Sequence, residues 1–239
     1  MARRTDRGSR TGHAASPSGR RDLKVRLKPA KGRSVASRRW LERQLNDPYV
    51  AEAKRRGYRS RSAFKLAEID DKYGFLKPGA AVIDLGAAPG GWAQVAAERV
   101  RALEEQGRVV AIDVHGIEPI PGVTILKKDF YDEDAPRALI EALDGRPADA
   151  VISDMAAHAT GHRQTDHLKI MDLAETALGF ARQVLKPGGT FLAKVLRGGT
   201  ESRLLAELKR DFATVRHVKP KASREDSAEL YVLATGFRG

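Results

Sequence analysis

Four charged residues lie at or near the ends of predicted β-strands, where their side chains could act on a bound ligand. Asp84, Asp113 and Asp154 each fall at the end of a short apolar run, and Lys194 lies near the end of another. Ligands of open α/β sheets bind outside the carboxyl ends of the strands, so one cleft can gather all four side chains. Three carboxylates and an amine favour a ligand with cationic or hydroxyl groups, together with proton transfer.

The first of these acids precedes a turn of small residues that connects a strand to a helix. Residues 80–85 are typical of a buried strand, residues 86–91 form the turn, and a helical apolar pattern begins at Trp92. Glycines let the backbone bend sharply and a ligand come close. The spacing Asp-x-Gly-x-x-Pro-Gly-Gly differs from the dinucleotide fingerprint, and no P-loop is present. An acid before such a turn favours a cationic cofactor, with S-adenosylmethionine the leading candidate; an ordinary tight turn between core elements is the alternative.

Two further acids follow the next predicted strands. Asp113 ends the strand at 108–112 and lies 23 residues after Gly90, near the roughly 20 that separate the turn from the ribose-binding acid in such folds. A carboxylate can accept hydrogen bonds from both ribose hydroxyls, so Asp113 is predicted to bind a ribose diol. Asp129 follows the strand at 123–126 and could reach an adenine amino group, while a helix-capping or loop role suits it equally well.

Apolar patterns along the rest of the chain predict the elements that must position these residues. Strands are predicted at residues 80–85, 108–112, 123–126, 150–153, 190–195, 214–219 and 229–235. The first predicted helix begins at Ser37 and has Pro48 near its end, and the second spans 63–73 with Ser60 or Ser62 as its cap. The third begins at Trp92, and the others span 135–143, 163–185 and 201–211. A turn is predicted at 186–189. This alternation, closed by a β-β pair, predicts a Rossmann-like α/β fold: a doubly wound, seven-stranded, mainly parallel sheet with one antiparallel strand near an edge.

The positive charge of the chain is concentrated at the N-terminus. Residues 1–60 hold 18 Lys and Arg against five Asp and Glu, a formal net charge of +13, and the other 179 residues carry −1. Residues 1–36 are rich in Arg, Ser, Gly and Lys, which predicts a disordered basic arm before one folded domain at 37–239. Such an arm favours a polyanionic partner, most simply nucleic acid, or serves as a solubilising tail. Basic residues around Tyr58 suit phosphate contact and base stacking.

The composition excludes several classes of protein. The chain has no cysteine, which rules out disulfides and thiolate metal sites and suits a reducing, cytoplasmic compartment. No apolar run reaches the length of a membrane span, and the N-terminus lacks the apolar segment of a signal peptide. The six histidines show no ligand spacing shared with carboxylates, so no metal site is predicted.

Five short segments carry a resemblance to a known family. They are Ser60-Arg61-Ser62-Ala63-Phe64-Lys65-Leu66, Asp84-Leu85-Gly86-Ala87-Ala88-Pro89-Gly90-Gly91-Trp92, Ser153-Asp154-Met155-Ala156, Ala193-Lys194-Val195 and Glu229-Leu230-Tyr231. In this order they resemble the FtsJ/RlmE family of ribosomal RNA 2′-O-methyltransferases, over about residues 58–238. The resemblance implies a catalytic tetrad of Lys65, Asp154, Lys194 and Glu229. It also implies an S-adenosylmethionine site formed by Gly90, Trp92, Asp113, Asp129 and Asp154.

The same resemblance implies a reaction and a partner. The expected activity is S-adenosylmethionine-dependent 2′-O-methylation of a uridine in 23S ribosomal RNA of the 50S subunit. Independently of the resemblance, we expect a monomer that does not bind membranes, since residues 1–36 show no amphipathic apolar face. The chain departs from the family in the loop after Asp154, where Ala157-His158 and Thr160-Gly161 stand in place of the common Pro-Asn and Ser-Gly. That departure concerns the substrate loop and leaves the tetrad intact.

The chemistry of the tetrad can be argued from the residue types. A ribose 2′-hydroxyl is a weak nucleophile that must lose its proton to a positioned base as it attacks. A lysine serves as that base only when a neighbouring cation and partial burial lower its pKa, and nearby carboxylates act in the opposite direction. We therefore predict Lys194 as the base and Lys65 as its cationic neighbour, which also orients the hydroxyl. Asp154 and Glu229 would position the two amines.

Other functions compete with this prediction. A 2′-O-methyltransferase of transfer RNA would carry the same tetrad and differ only in the surface that faces its substrate. A non-catalytic RNA-binding or ribosome-assembly protein could keep the fold, but the complete tetrad counts against it. A haemolysin-like relative would need a folded RNA-binding module before the catalytic domain, and residues 1–50 are too polar to form one. A nicotinamide dehydrogenase is the weakest alternative, because the dinucleotide fingerprint is absent.

Overall fold

A computed structural model describes residues 25–26, 34–156, 161–197 and 202–239. The helices are α1 (Val35–Leu45), α2 (Pro48–Arg56), α3 (Ala63–Tyr73), α4 (Gly91–Val100), α5 (Ala135–Ala142), α6 (Arg163–Val184) and α7 (Ser202–Asp211). The strands are β1 (Ala81–Leu85), β2 (Arg108–Asp113), β3 (Val123–Lys127), β4 (Ala148–Ser153), β5 (Leu185–Leu196), β6 (Phe212–Val218) and β7 (Glu229–Phe237). Most of the predicted arm and the altered loop residues 157–160 lie outside the described residues.

The seven strands form one sheet in the order β3-β2-β1-β4-β5-β7-β6. The first five strands pair in parallel, whereas β7 is antiparallel to both β5 and β6. The predicted doubly wound sheet, with one antiparallel strand next to an edge, is therefore confirmed. The chain extends outward from β1 to β3 and then returns to place β4 on the other side of β1. This reversal in strand order creates a crevice at the carboxyl ends of β1 and β4.

Helices cover both faces of the sheet because alternate strand residues point to opposite sides. Ile83 and Leu85 of β1 belong to a core that also contains residues of α5, α6 and α7, among them Leu139, Leu178 and Leu208. Val82 points to the other side, where residues of α3 and α4 form a second core that includes Leu66 and Trp92. All five residues of β1 are buried, so the strand before the glycine turn is held from both sides.

The first helical region differs from its prediction. Pro48 begins α2 instead of closing one helix, since proline suits the first helical position, where no amide donor is needed. Helix α1 ends earlier, at Leu45, and is capped by Asn46, whose side-chain amide donates to the Glu42 carbonyl at 2.6 Å. By compactness the chain divides into Met1–Glu52 and Ala53–Gly239, and the proposed boundary after residue 36 stays a prediction.

Two local predictions were wrong. Neither Ser60 nor Ser62 caps α3 through its side chain: Ser62 already has helical backbone angles, and the two hydroxyls lie 2.6 Å apart in a hydrogen bond with each other. Residues 186–189 do not separate α6 from a strand but lie within β5. Leu185 pairs with Ala148 and Thr190 with Ala150, so five steps along β5 match two along β4 and the intervening residues bulge.

None of the described helices is both long and apolar enough to cross a membrane.

Candidate active site

The sheet brings the four residues of the predicted tetrad to one edge. Asp154 follows β4 directly, and Lys194 lies on the adjacent strand β5, one residue beyond the Ser153–Ala193 pair. Lys65 lies on α3 and Glu229 begins β7. Parallel pairing of β4 with β5 and antiparallel pairing of β5 with β7 therefore assemble a site from distant parts of the sequence.

Two ion pairs form the centre of this site. The ammonium nitrogen Nζ of Lys194 lies 2.8 Å from Asp154 Oδ1 and also donates to the Asp154 carbonyl at 2.8 Å. Lys65 Nζ lies 2.7 Å from Oε1 and 2.8 Å from Oε2 of Glu229. Each lysine side chain is only 9% exposed. Both amines are thus held in fixed positions by oxygen acceptors instead of moving freely in solvent.

Tyr231 joins the two ion pairs. Its hydroxyl donates to Asp154 Oδ1 at 2.7 Å and accepts from Lys65 Nζ at 3.1 Å. The ring is fully buried, packs against Trp92 at 5.5 Å between centroids, and lies directly opposite Lys194 in the sheet. Tyr231 is not among the site residues predicted from the sequence. The available signal was its position two residues after Glu229, since residues i and i+2 of a strand share a face.

The protonation states at this centre follow from burial and charge. Burial raises the pKa of Asp154, but the Lys194 and Lys65 ammonium groups outweigh it, so that pKa lies below its ordinary value. Burial and the charges of Asp154 and Glu229 raise the pKa of Tyr231 well above its ordinary value. At neutral pH Asp154 is therefore a carboxylate and Tyr231 a hydroxyl donor.

Asp84 is the one predicted strand-end acid that lies away from the cleft surface. Its side chain is fully buried, and neither carboxyl oxygen makes a hydrogen bond of good geometry to a described residue. Burial raises its pKa well above the ordinary value, and the charges of Asp154 and Asp113 add to the shift. The nearby Ala93 amide opposes this shift only in part. Burial therefore favours the uncharged form of Asp84, and this side chain does not line the cleft described below.

A cleft of about 480 Å³ opens beside the tetrad, at the carboxyl ends of β1 to β4. Three of the acids predicted to bind the cofactor line it: Asp113, Asp129 and Asp154. The other two predicted residues, Gly90 and Trp92, are not among its lining residues. The Trp92 indole donates to the Ser62 carbonyl at 2.9 Å within the core, and a cofactor contact for either residue stays a prediction.

The acids in the cleft are held by backbone amides. Asp113 accepts the Ala88 N–H at 2.9 Å through Oδ2 and the His115 N–H at 2.8 Å through Oδ1. Asp129 accepts the Tyr131 N–H at 3.0 Å. Each carboxylate oxygen has two lone pairs, so both side chains keep acceptor capacity for the hydroxyl or amino groups of a ligand. The residues present therefore fit an adenosine-containing cofactor such as S-adenosylmethionine.

The basic segment before α3 has a structural role that its sequence did not indicate. The Arg59 guanidinium donates to the carbonyls of Glu118 at 2.5 Å and Pro119 at 2.7 Å, which ties this segment to the loop after β2. The Tyr58 hydroxyl donates to Glu98 at 2.9 Å, and its ring packs edge-on against Phe64. Burial and the Glu98 charge raise the pKa of Tyr58 to about 12. Tyr58 is thus anchored to helices α3 and α4, and base stacking by its ring stays a prediction.

Known proteins resemble this chain over most of its length. The FtsJ-like methyltransferase family matches residues 58–237. A protein named ribosomal RNA large subunit methyltransferase E from Xanthobacter autotrophicus is 64% identical over 93% of this chain and 87% of its own length. A protein of the same name from Parvibaculum lavamentivorans is 61% identical over 97% of this chain and 93% of its own.

Among solved structures, a putative ribosomal RNA methyltransferase from Plasmodium falciparum superposes with a TM-score of 0.68 at 32% identity. That likeness covers 76% of this chain and 100% of the other.

Proposed function

The chain belongs to the FtsJ-like methyltransferase family, and from that premise we propose that it methylates the ribose 2′-hydroxyl of a uridine in 23S ribosomal RNA of the 50S subunit. S-adenosylmethionine is the methyl donor. One observation carries the proposal: Asp154 both lines the cleft and pairs with Lys194 at 2.8 Å. The Lys194 amine is therefore held against a residue of the cleft in which the cofactor binds.

The tetrad supports proton removal and positioning. When bound, S-adenosylmethionine supplies an electrophilic methyl group carried on a sulfonium. To act as the base, Lys194 first releases a proton from its ammonium group to solvent. The neutral amine then takes up the proton that the 2′-hydroxyl loses, and Asp154 stabilises the ammonium that forms again. Lys65, held by Glu229, orients the hydroxyl oxygen by donating a hydrogen bond to it. The buried Tyr231 hydroxyl keeps the two ion pairs in one arrangement.

The cleft residues have separate proposed contacts. Asp113 accepts the ribose hydroxyls of the cofactor, and Asp129 accepts its adenine amino group. Gly90 and Trp92 complete the set, since they lie at the end of the glycine turn whose Gly86 and Ala88 line the cleft. Gly90 has a φ of +110°, a left-handed conformation that only glycine adopts readily.

Asp113→Ala is expected to weaken S-adenosylmethionine binding by about 1–3 kcal/mol, which is about 5- to 150-fold, because charge-assisted hydrogen bonds are lost. Titration calorimetry of the purified variants measures this change. Glu141→Ala removes an exposed acid of α5 and should bind like the wild type. Tight binding of a nicotinamide dinucleotide, with none of S-adenosylmethionine, would reject the cofactor assignment.

The proposed reaction is tested on 50S particles from cells that lack this enzyme. Incubation with the purified protein and S-adenosylmethionine should add a ribose methyl group to one uridine of 23S ribosomal RNA, located by mass mapping of RNA fragments. Methylation of transfer RNA alone would favour the alternative substrate. Binding of the particles without any methylation would favour a non-catalytic assembly protein.

The remaining parts of the proposal concern the basic arm, the oligomeric state and the cellular location. Residues 1–36 contribute to capture of ribosomal RNA through their charge, and residues 37–239 form the catalytic domain. A single chain supplies all four tetrad residues, so a monomer suffices for the reaction. The enzyme acts in the cytoplasm, where its proposed substrate, the large ribosomal subunit, is found.

A further inference from the structure

Two consecutive residues in the loop between β6 and β7 are buried next to the tetrad. Ala222 is 0% and Ser223 4% exposed. Loops normally run over the surface, because buried backbone groups must find hydrogen-bond partners. Burial of these two residues therefore indicates that hydrogen bonds attach the loop to the rest of the domain.

Helix α3 and the residues before it provide that attachment. The Arg61 guanidinium donates to the Ala222 carbonyl at 2.6 Å, and the Ala222 N–H donates to Glu68 Oε2 at 3.0 Å. Arg61 lies four residues before Lys65 and Glu68 lies three after it. The loop is thus attached to residues that come before and after Lys65 in the sequence. This attachment places Ser223 close to Lys65 and Glu229.

The Ser223 hydroxyl uses this placement to contact the tetrad. It donates to Glu229 Oε1 at 2.8 Å, the same oxygen that lies 2.7 Å from Lys65 Nζ. A carboxylate oxygen has two lone pairs and can accept both hydrogen bonds. With its orientation fixed by two donors, the carboxylate can hold the Lys65 ammonium in one position.

We propose that Ser223 is a positioning residue for methyl transfer, which orients the Glu229 carboxylate and through it Lys65. This inference rests on the proposed function, because it explains how two residues of the proposed catalytic tetrad, Glu229 and Lys65, are held in position. Ser223 does not line the cofactor cleft. Its effect should therefore appear in the rate of the chemical step and not in cofactor affinity.

Ser223→Ala is expected to slow single-turnover methylation of 50S particles by about 10-fold, the usual scale for a lost hydrogen bond to a charged group. The KM for the particles and the affinity for S-adenosylmethionine should stay within about twofold of wild type. Ser223→Thr, which keeps the hydroxyl, should restore most of the rate. An alanine variant with the wild-type rate, or a loss expressed only in KM, would overturn the inference.

The loop provides a matched control. The Ser227 hydroxyl accepts the backbone N–H of Glu229 at 3.1 Å, so Ser227→Ala removes a hydrogen bond from the same residue without touching its carboxylate. This variant should keep the rate within about twofold of wild type. If the Ser223→Ala protein does not fold, as judged by thermal melting, Ser223→Cys replaces it, since a thiol keeps the size but donates weakly.

A double-mutant cycle separates positioning from a general loosening of the loop. If Ser223 acts through the Glu229 carboxylate, Ser223→Ala should cause no further rate loss in a Glu229→Gln background. Additive losses would overturn the inference. A wild-type protein that does not methylate 50S particles would refute the proposed function and this inference with it. An active wild type with an equally active Ser223→Ala variant would refute this inference alone.

Discussion

Replacing Lys194 by alanine is expected to slow methyl transfer by about 10²–10⁴-fold, the usual cost of removing a general base. The Lys194 side chain is only 9% exposed and is held by Asp154 at 2.8 Å. A lysine from the protein surface therefore cannot take its place. Affinity for S-adenosylmethionine should stay close to that of the wild type, because Lys194 does not line the cleft. Single-turnover assays on 50S particles and calorimetry measure the two quantities separately.

Lys194→Arg distinguishes the two roles that this residue can have. An arginine keeps the positive charge but does not give up a proton near neutral pH, so it cannot act as the base. We expect the arginine variant to be nearly as slow as the alanine variant. Lys186→Ala is the matched control, because Lys186 lies on the same strand but pairs with Asp149 away from the tetrad. An arginine variant with the wild-type rate would mean that Lys194 supplies charge only.

Replacing Asp154 by alanine should have the largest effect on stability. The Asp154 carboxylate is the shared acceptor of Lys194 and Tyr231, at 2.8 and 2.7 Å. Its removal leaves a buried ammonium without a counter-charge, which lowers the free energy of unfolding by about 3–5 kcal/mol. Urea denaturation measures the loss. A change below about 1 kcal/mol would show that the backbone carbonyls already satisfy Lys194.

The pH dependence of this contribution has a definite sign. The folded protein lowers the pKa of Asp154, so its carboxylate stabilises the fold above the ordinary aspartate pKa of about 3.9. That stabilisation is lost as the pH falls through the lower value of the folded protein. The difference in unfolding free energy between wild type and Asp154→Asn should be constant from about pH 5 to 7 and shrink below about pH 4. A difference that grows on acidification would contradict this assignment.

Local sequence patterns were sufficient to predict most of the architecture. The apolar run that became β1 and the glycine turn after it are set by neighbouring residues, and so is the alternation of strands and helices. Pro48 was misplaced because a proline can either end a helix or begin one, and only the next turn of chain decides which. Residues 186–189 were misassigned because a bulge depends on the partner strand, whose register is not visible locally.

The candidate site could be predicted only in part. Asp113, Asp129 and Asp154 are predictable because each lies at or just after the end of a strand and therefore at the ligand edge of the sheet. The contact between Lys65 and Glu229 spans 164 positions of the chain and was expected only through resemblance to a family. Tyr231 and Ser223 were missed, since nothing in their local pattern shows which acid their hydroxyls will meet.

The strand order also determines when the enzyme can become active during its synthesis. β6 is made before β7 but hydrogen-bonds to the described sheet only through β7. β6 therefore cannot join the sheet until β7 lies between β5 and β6. The strand that completes the sheet also brings Glu229 and Tyr231 to Lys65 and Asp154. All residues that line the cofactor cleft precede β7 in the sequence, whereas the complete tetrad forms only when β7 enters the sheet.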